Sequence, residues 1–132
     1  MIVLDASVLI GHLDRRDPHH GSARALLEAS GPEPLGASAI TLAETLVAPA
    51  RAGRLKEARA ALKRLGVSEL ELGEGAPGRL AQLRADTGLK LPDCCVLVVA
   101  QQLKGAVASF DEDLAGAARK LGLKTVGSEA KR

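Results

Sequence analysis

Four carboxylates interrupt or abut otherwise apolar sequence: Asp5 ends MIVLD, Glu44 lies inside ITLAETLV, Asp93 heads DCCVLVVA and Asp111 follows AVASF. A carboxylate placed among apolar groups is costly unless something pairs with it. Several together repel, so some hold protons unless a cation neutralises them. An all-oxygen donor set suits a hard divalent cation, Mg²⁺ or Mn²⁺, held through few protein ligands and several waters. Such a cation acidifies water and stabilises charge on a phosphoryl group, so the chemistry this set could do is phosphodiester hydrolysis. No Ser/His/Asp or Cys/His arrangement in the sequence competes for a nucleophilic role.

Each carboxylate also has a purely structural reading. Asp5 can end a turn or cap the next helix, and Asp111 can cap a helix starting near Glu112. Thr41 and Glu44 have capping-box spacing. Asp93 complements a helix dipole. The four together are less easily explained in that way. Asp5 and Asp111 both end apolar strands, and in a parallel sheet both then lie at one edge. Asp93 shares a helix face with Val96, Leu97 and Ala100, so it points along the core side.

The elements that must position these groups follow from the apolar pattern. Ile2, Val3 and Leu4 form a continuous apolar run, which predicts a strand buried on both faces. Residues 8–13 and 19–29 predict helices, the second with Ala23, Leu26 and Leu27 on one face. Residues 35–39 predict a second buried strand. Residues 40–48 predict a helix stopped by Pro49, and 54–65 another, capped by Gly66. Residues 67–72 alternate as a half-exposed edge strand should. After a turn-rich joint at 73–78 comes a helix carrying Leu80 and Leu83 and ended by Gly88. Leu91-Pro92-Asp93 opens an apolar helix running to about Leu103. Residues 105–109 form a strand, 112–121 a helix and 123–126 a last strand. The alternation predicts an α/β fold, a small parallel β-sheet flanked by helices in three layers. It places a single domain at 1–127 and a polar C-terminal tail at 128–132.

Composition narrows the classes. The chain has 132 residues and a net charge of +2, too small to reveal a nucleic-acid partner. Phe110 is its sole aromatic residue, so no aromatic base-stacking platform is expected. Cys94 and Cys95 are adjacent and read as reduced core thiols. His12 reads as a surface residue, and the adjacent His19 and His20 as packing or solvated side chains rather than ligands. No segment is long and apolar enough for a membrane, and no signal peptide is evident, which points to the cytoplasm.

The segments VLDASVLI, ASAITLAETLVAPARAG, GLKLPDCCVLVVA and ASFDEDLAGAARKLGL, in this order, resemble the PIN-domain ribonucleases. Within them the chain is most similar to the VapC toxins of toxin–antitoxin pairs. The resemblance implies a PIN-like fold and a Mg²⁺-dependent endoribonuclease (Mn²⁺ being the alternative ion). It implies catalytic and metal-binding roles for Asp5, Glu44, Asp93 and Asp111. Ser7 occupies the family's hydroxyl position after the first Asp, Ser109 stands where the family often has Thr, and Asp113 is an outer acid. Arg51, Arg54 and Lys90 are candidates for RNA phosphates, with Arg15 and Arg16 weaker ones. An antitoxin of the VapB kind is the implied partner, with an Arg reaching the carboxylates. A homodimer through the apolar helices at 42–46 and 55–65 is also implied. A haloacid dehalogenase-like phosphatase needs an acid at position 7, where Ser7 stands. A phosphorelay receiver needs paired acids and a later Lys that are not evident. The remaining alternative is a PIN-like module that binds RNA or protein without chemistry.

Overall fold

The computed structural model describes residues 1–127, so the tail expected at 128–132 lies outside the described residues. Five strands, β1 (Ile2–Leu4), β2 (Leu35–Ser38), β3 (Val67–Leu70), β4 (Ala106–Ser109) and β5 (Thr125–Gly127), form one sheet in the order β3-β2-β1-β4-β5. Every pairing is parallel. The first strand is therefore central, as its unbroken apolar run requires. Ile2 and Leu4 join the core on one face and Val3 the core on the other. Burying each such side chain is worth about 1.5–3 kcal/mol.

Among the described residues, seven helices cover the two faces. Residues of α1 (Ala6–Leu13), α2 (His20–Ala29), α3 (Ala39–Arg51) and α4 (Leu55–Leu65) pack with Ile2, Leu4, Leu35 and Ala37. Residues of α5 (Ala76–Thr87), α6 (Leu91–Leu103) and α7 (Glu112–Lys120) pack with Val3 and Val107. The result is the expected three-layer α/β arrangement. From β1 the chain steps to β2 and β3, then crosses to β4 on the other side. The strand order thus reverses between β1 and β4, the crevice where such sheets collect ligands.

Several boundaries differ from expectation, each for a local reason. Helix α1 starts at Ala6 rather than residue 8, because Asp5 caps it and accepts from the Ala6 N–H. Ala39 belongs to α3 rather than to β2, because Ser38 is that helix's cap and accepts from the Thr41 N–H. Leu70 pairs with Ser38, so once Ser38 turns away β3 has no partner and ends four residues after it starts. Pro49 does not stop α3; it lies inside the last turn, which closes through Ala52 N–H bonds to Ala48 and Pro49 carbonyls. Proline there removes only one donor near the helix end. Helix α5 starts inside the expected joint, with Pro77 in its first turn. Strand β5 begins at Thr125, because the Leu123 N–H is still bonded to Ala118 of α7. Gly66 caps α4 as expected, in the left-handed conformation at φ 86°.

Candidate active site

The carboxyl ends of β1 and β4 lie side by side, and the Asp5 N–H donates to the Ala108 carbonyl at 3.0 Å. Asp5 is 6% exposed, yet its carboxylate has three donors. Oδ1 accepts from the Ala6 N–H at 2.8 Å. Oδ2 accepts from Ser7 Oγ at 2.9 Å and from Ser109 Oγ at 2.7 Å. Both hydroxyls are oriented by what they accept in turn: Ser7 Oγ from the Phe110 N–H at 3.1 Å, Ser109 Oγ from the Asp111 N–H at 2.9 Å. Each serine therefore spends its proton on Asp5. This network ties the β1–α1 turn to the β4–α7 turn and holds a buried carboxylate that bare desolvation would disfavour.

Asp111 caps α7, its Oδ1 accepting from the Asp113 and Leu114 N–H groups. Its exposed carboxylate keeps Oδ2 free for another partner among the described residues. Asp113 is exposed in the same first turn and donates its N–H to Asp111. Glu44 does not make the capping box that its spacing with Thr41 allowed, since Ser38 caps α3. It stands instead on an exposed part of α3, with Thr41 and Thr45 buried on either side of it. Asp93 lies in the first turn of α6, on the same side as the buried Val96, Leu97 and Ala100.

Electrostatics links the four. Burial, then the charges of Asp5, Asp111 and Glu44, push the Asp93 carboxyl from 3.8 up to about 6, with Lys90 pulling the other way. Partial shielding of its carboxyl from water, then the Asp5 charge, raises Glu44. None of the ion pairs among the described residues involves these four acids. The edge is thus a concentration of negative charge with no built-in counter-charge at contact distance.

This has a consequence for stability. Between about 4 and about 6 the folded chain holds a proton on Asp93 that the unfolded chain has released, so the cation-free fold loses stability as pH rises through that window. Melting curves in chelator from about pH 4 to about pH 8 should show this fall in the intact protein and a flatter profile in Asp93→Asn. Parallel profiles would contradict the assignment.

The donor set fits a hard cation. It consists of carboxylate and hydroxyl oxygens. The nearby thiols are poor competitors: burial, then Asp93, pushes Cys94 up, and burial, then Cys94 and Glu44, does the same to Cys95. Among the described residues no three His, Cys, Asp or Glu side chains converge tightly enough to enclose an ion by themselves.

The other candidate residues separate. Arg54, Arg15 and Arg16 line a groove of about 810 Å³ that also contains Glu44, Thr45 and Arg64. Arg64 was not singled out by the sequence; its membership depends on how α4 packs on α3. Arg51 and Lys90 are exposed outside that groove, Lys90 as the cap of α6 close enough to act on Asp93. His20 Nδ1 lies 2.8 Å from the Gly11 carbonyl, a structural bond. His12 is not the surface residue expected: it is half-buried, and its Nδ1 has no partner among the described residues. Burial first, then His20 and Arg24, holds it below 6.5.

Comparison with known proteins adds family and fold. The family model described as PIN domain matches residues 2–120. A toxin–antitoxin complex from Klebsiella pneumoniae contains a chain 26% identical, with TM-score 0.74, over 88% of this chain and 92% of that one. The sarcin–ricin-loop-cleaving toxin VapC20 of Mycobacterium tuberculosis is 22% identical, with TM-score 0.72, over 89% of this chain and 95% of that one. FitAcB from Neisseria gonorrhoeae is 21% identical, with TM-score 0.71, over 98% and 99%. No curated protein matches the chain.

Proposed function

The chain belongs to the PIN-domain family, and on that premise we propose that it is a divalent-cation-dependent endoribonuclease acting as the toxin of a toxin–antitoxin pair. The observation that carries this reading is the shared field of the four acids. Burial first, and then the charges of Asp5, Asp111 and Glu44, push Asp93 up to about 6, beside the strand-order reversal where Asp5 ends β1 and Asp111 follows β4.

When bound, Mg²⁺ (or Mn²⁺) supplies an acidified water and charge neutralisation at a phosphodiester. Asp5 and Asp93 would hold it most directly, and Asp111 would do so directly or through water. Asp5 is fixed in place by Ser7 and Ser109. Asp93, raised to about 6, is ionised near neutral pH and ready to accept. Glu44 would orient water or help hold a further ion, and Asp113 would contribute charge from outside. Arg54, Arg51 and Lys90 are the positive groups that would meet RNA phosphates, Arg54 from the groove that holds Glu44.

Ser109 is a positioning residue on this account, since it acts through Asp5 and the Asp111 backbone. Ser109→Ala should cut RNA about tenfold more slowly and need more cation for half-maximal rate, while Ser109→Thr restores both. Unchanged cation dependence in Ser109→Ala would remove that role.

The likeness to chains from toxin–antitoxin complexes supports an antitoxin partner. Exposed Ile40, Val47 and Leu55 on α3 and α4 support a homodimer through those helices. No helix among the described residues is long and apolar enough to cross a membrane, in keeping with action on cytoplasmic RNA. Expression tests the toxin reading: the intact chain should arrest growth, and Asp5→Asn should relieve the arrest. Equal growth with both would reject it.

A further inference from the structure

Phe110 lies between Ser109 and Asp111, and its backbone N–H is fixed by Ser7 Oγ. Its ring is half-buried against the core shared by α1 and α2, so its position is set by packing as well. The imidazole of His19, from the turn before α2, stacks on it with ring centroids 4.6 Å apart and planes 18° from parallel. His19 is anchored too. Its N–H donates to Asp17 Oδ1 at 2.8 Å, and its Nδ1 stands 3.7 Å from the same oxygen. Even so, its side chain is 50% exposed. One face of the imidazole rests on Phe110, so the exposure belongs to its edge and opposite face. The composition excluded a platform built from Phe, Tyr and Trp alone, but here an imidazole supplies the second ring.

We propose that the His19–Phe110 pair is a stacking platform for one unpaired base of a single-stranded RNA, beside the phosphodiester placed at the acidic edge. The proposal rests on the nuclease reading of that edge for its role in cutting, though not for binding. A nucleobase lies flat on an exposed ring whatever its sequence, because every base has a π face. The rigid backing matters: a ring already held by Phe110 and Asp17 loses little freedom when a base lands on it. Phe110 is next in sequence to both Ser109 and Asp111, so the platform's backing ring comes from the same turn that carries Asp111. A base on the platform would then help set which phosphodiester falls at the acidic edge.

The test separates binding from cutting. The probe is a short randomised single-stranded RNA pool, its binding to the full chain followed by fluorescence anisotropy. His19→Ala should bind about tenfold more weakly than the intact protein. His19→Phe should bind as the intact protein does, which a proton-carrying or purely charged role would not permit. Melting curves of the variants check that the exposed substitution leaves the fold intact. Equal binding by the intact protein and His19→Ala, or no binding by the intact protein, overturns the platform. Cutting of the same pool with Mg²⁺ should need about tenfold more RNA for half-maximal rate in His19→Ala than in the intact protein, and His19→Phe should restore it. An unchanged half-maximal concentration in His19→Ala also overturns the platform. His19-dependent binding without any cutting leaves it standing and rejects the nuclease.

Discussion

Mg²⁺ at about a hundred times its dissociation constant should raise the melting temperature of the intact protein by roughly 10 °C, and Asp93→Asn should abolish most of that rise. An ion that binds only the native state at this excess adds about 2.7 kcal/mol, and for a domain of this size each kcal/mol moves the midpoint by about 3–5 °C. The cause is specific to the edge. Asp5 is buried and fixed, Asp93 is pushed up to about 6, and no Lys or Arg makes an ion pair with either among the described residues. An ion there relieves a repulsion that the fold otherwise carries. Asp93→Asn removes both the ligand and part of the repulsion. Near neutral pH the variant should therefore melt higher than the intact protein in chelator and lower than it in Mg²⁺. An equal rise in both proteins would place the ion elsewhere.

Asp93→Asn should also slow RNA cutting by at least about a hundredfold with the fold preserved. Charge stabilisation of a phosphoryl group by a held cation is worth several kcal/mol, and about 2.7 kcal/mol is already a factor of a hundred. The substitution is close to isosteric, and Asp93 accepts no side-chain hydrogen bond among the described residues that Asn would break. The loss should thus exceed that of Ser109→Ala, which leaves every carboxylate in place. It is read from single-turnover rates with excess protein. A loss no larger than that of Ser109→Ala would mean that Asp93 does not hold the ion directly.

Strand ends gave Asp5 and Asp111 their shared edge, and helical spacing gave Asp93 its core-side face; contacts between helices were harder to read. Asp5 and Asp111 follow apolar runs, and a parallel sheet puts such ends at one edge whatever the details. Ser7 and Ser109 entered only through the family resemblance, and their bonds to Asp5 are seen only in the structure. Glu44 was harder, because its spacing with Thr41 satisfies a local rule that the structure does not use. The true cap, Ser38, looked like the end of a strand, and it is also the reason that β2 and β3 stop where they do. Pro49 misled for a similar reason: near a helix end the loss of one donor is small, and only the closing bonds of the last turn show it. His19 and Phe110 are far apart in sequence and meet because α2 and β4 pack on the same core. No periodicity carries that contact. The same is true of Arg64, which reaches the groove beside Glu44 only through the packing of α4 on α3.

The most direct test of the central claim is cutting of a mixed cellular RNA pool by the purified, partner-free chain, with Mg²⁺ or Mn²⁺ and with chelator, the new ends being mapped. The account predicts discrete cuts with either ion and none in chelator or with Asp93→Asn. Cuts that persist in chelator, or that Asp93→Asn makes equally well, would contradict it.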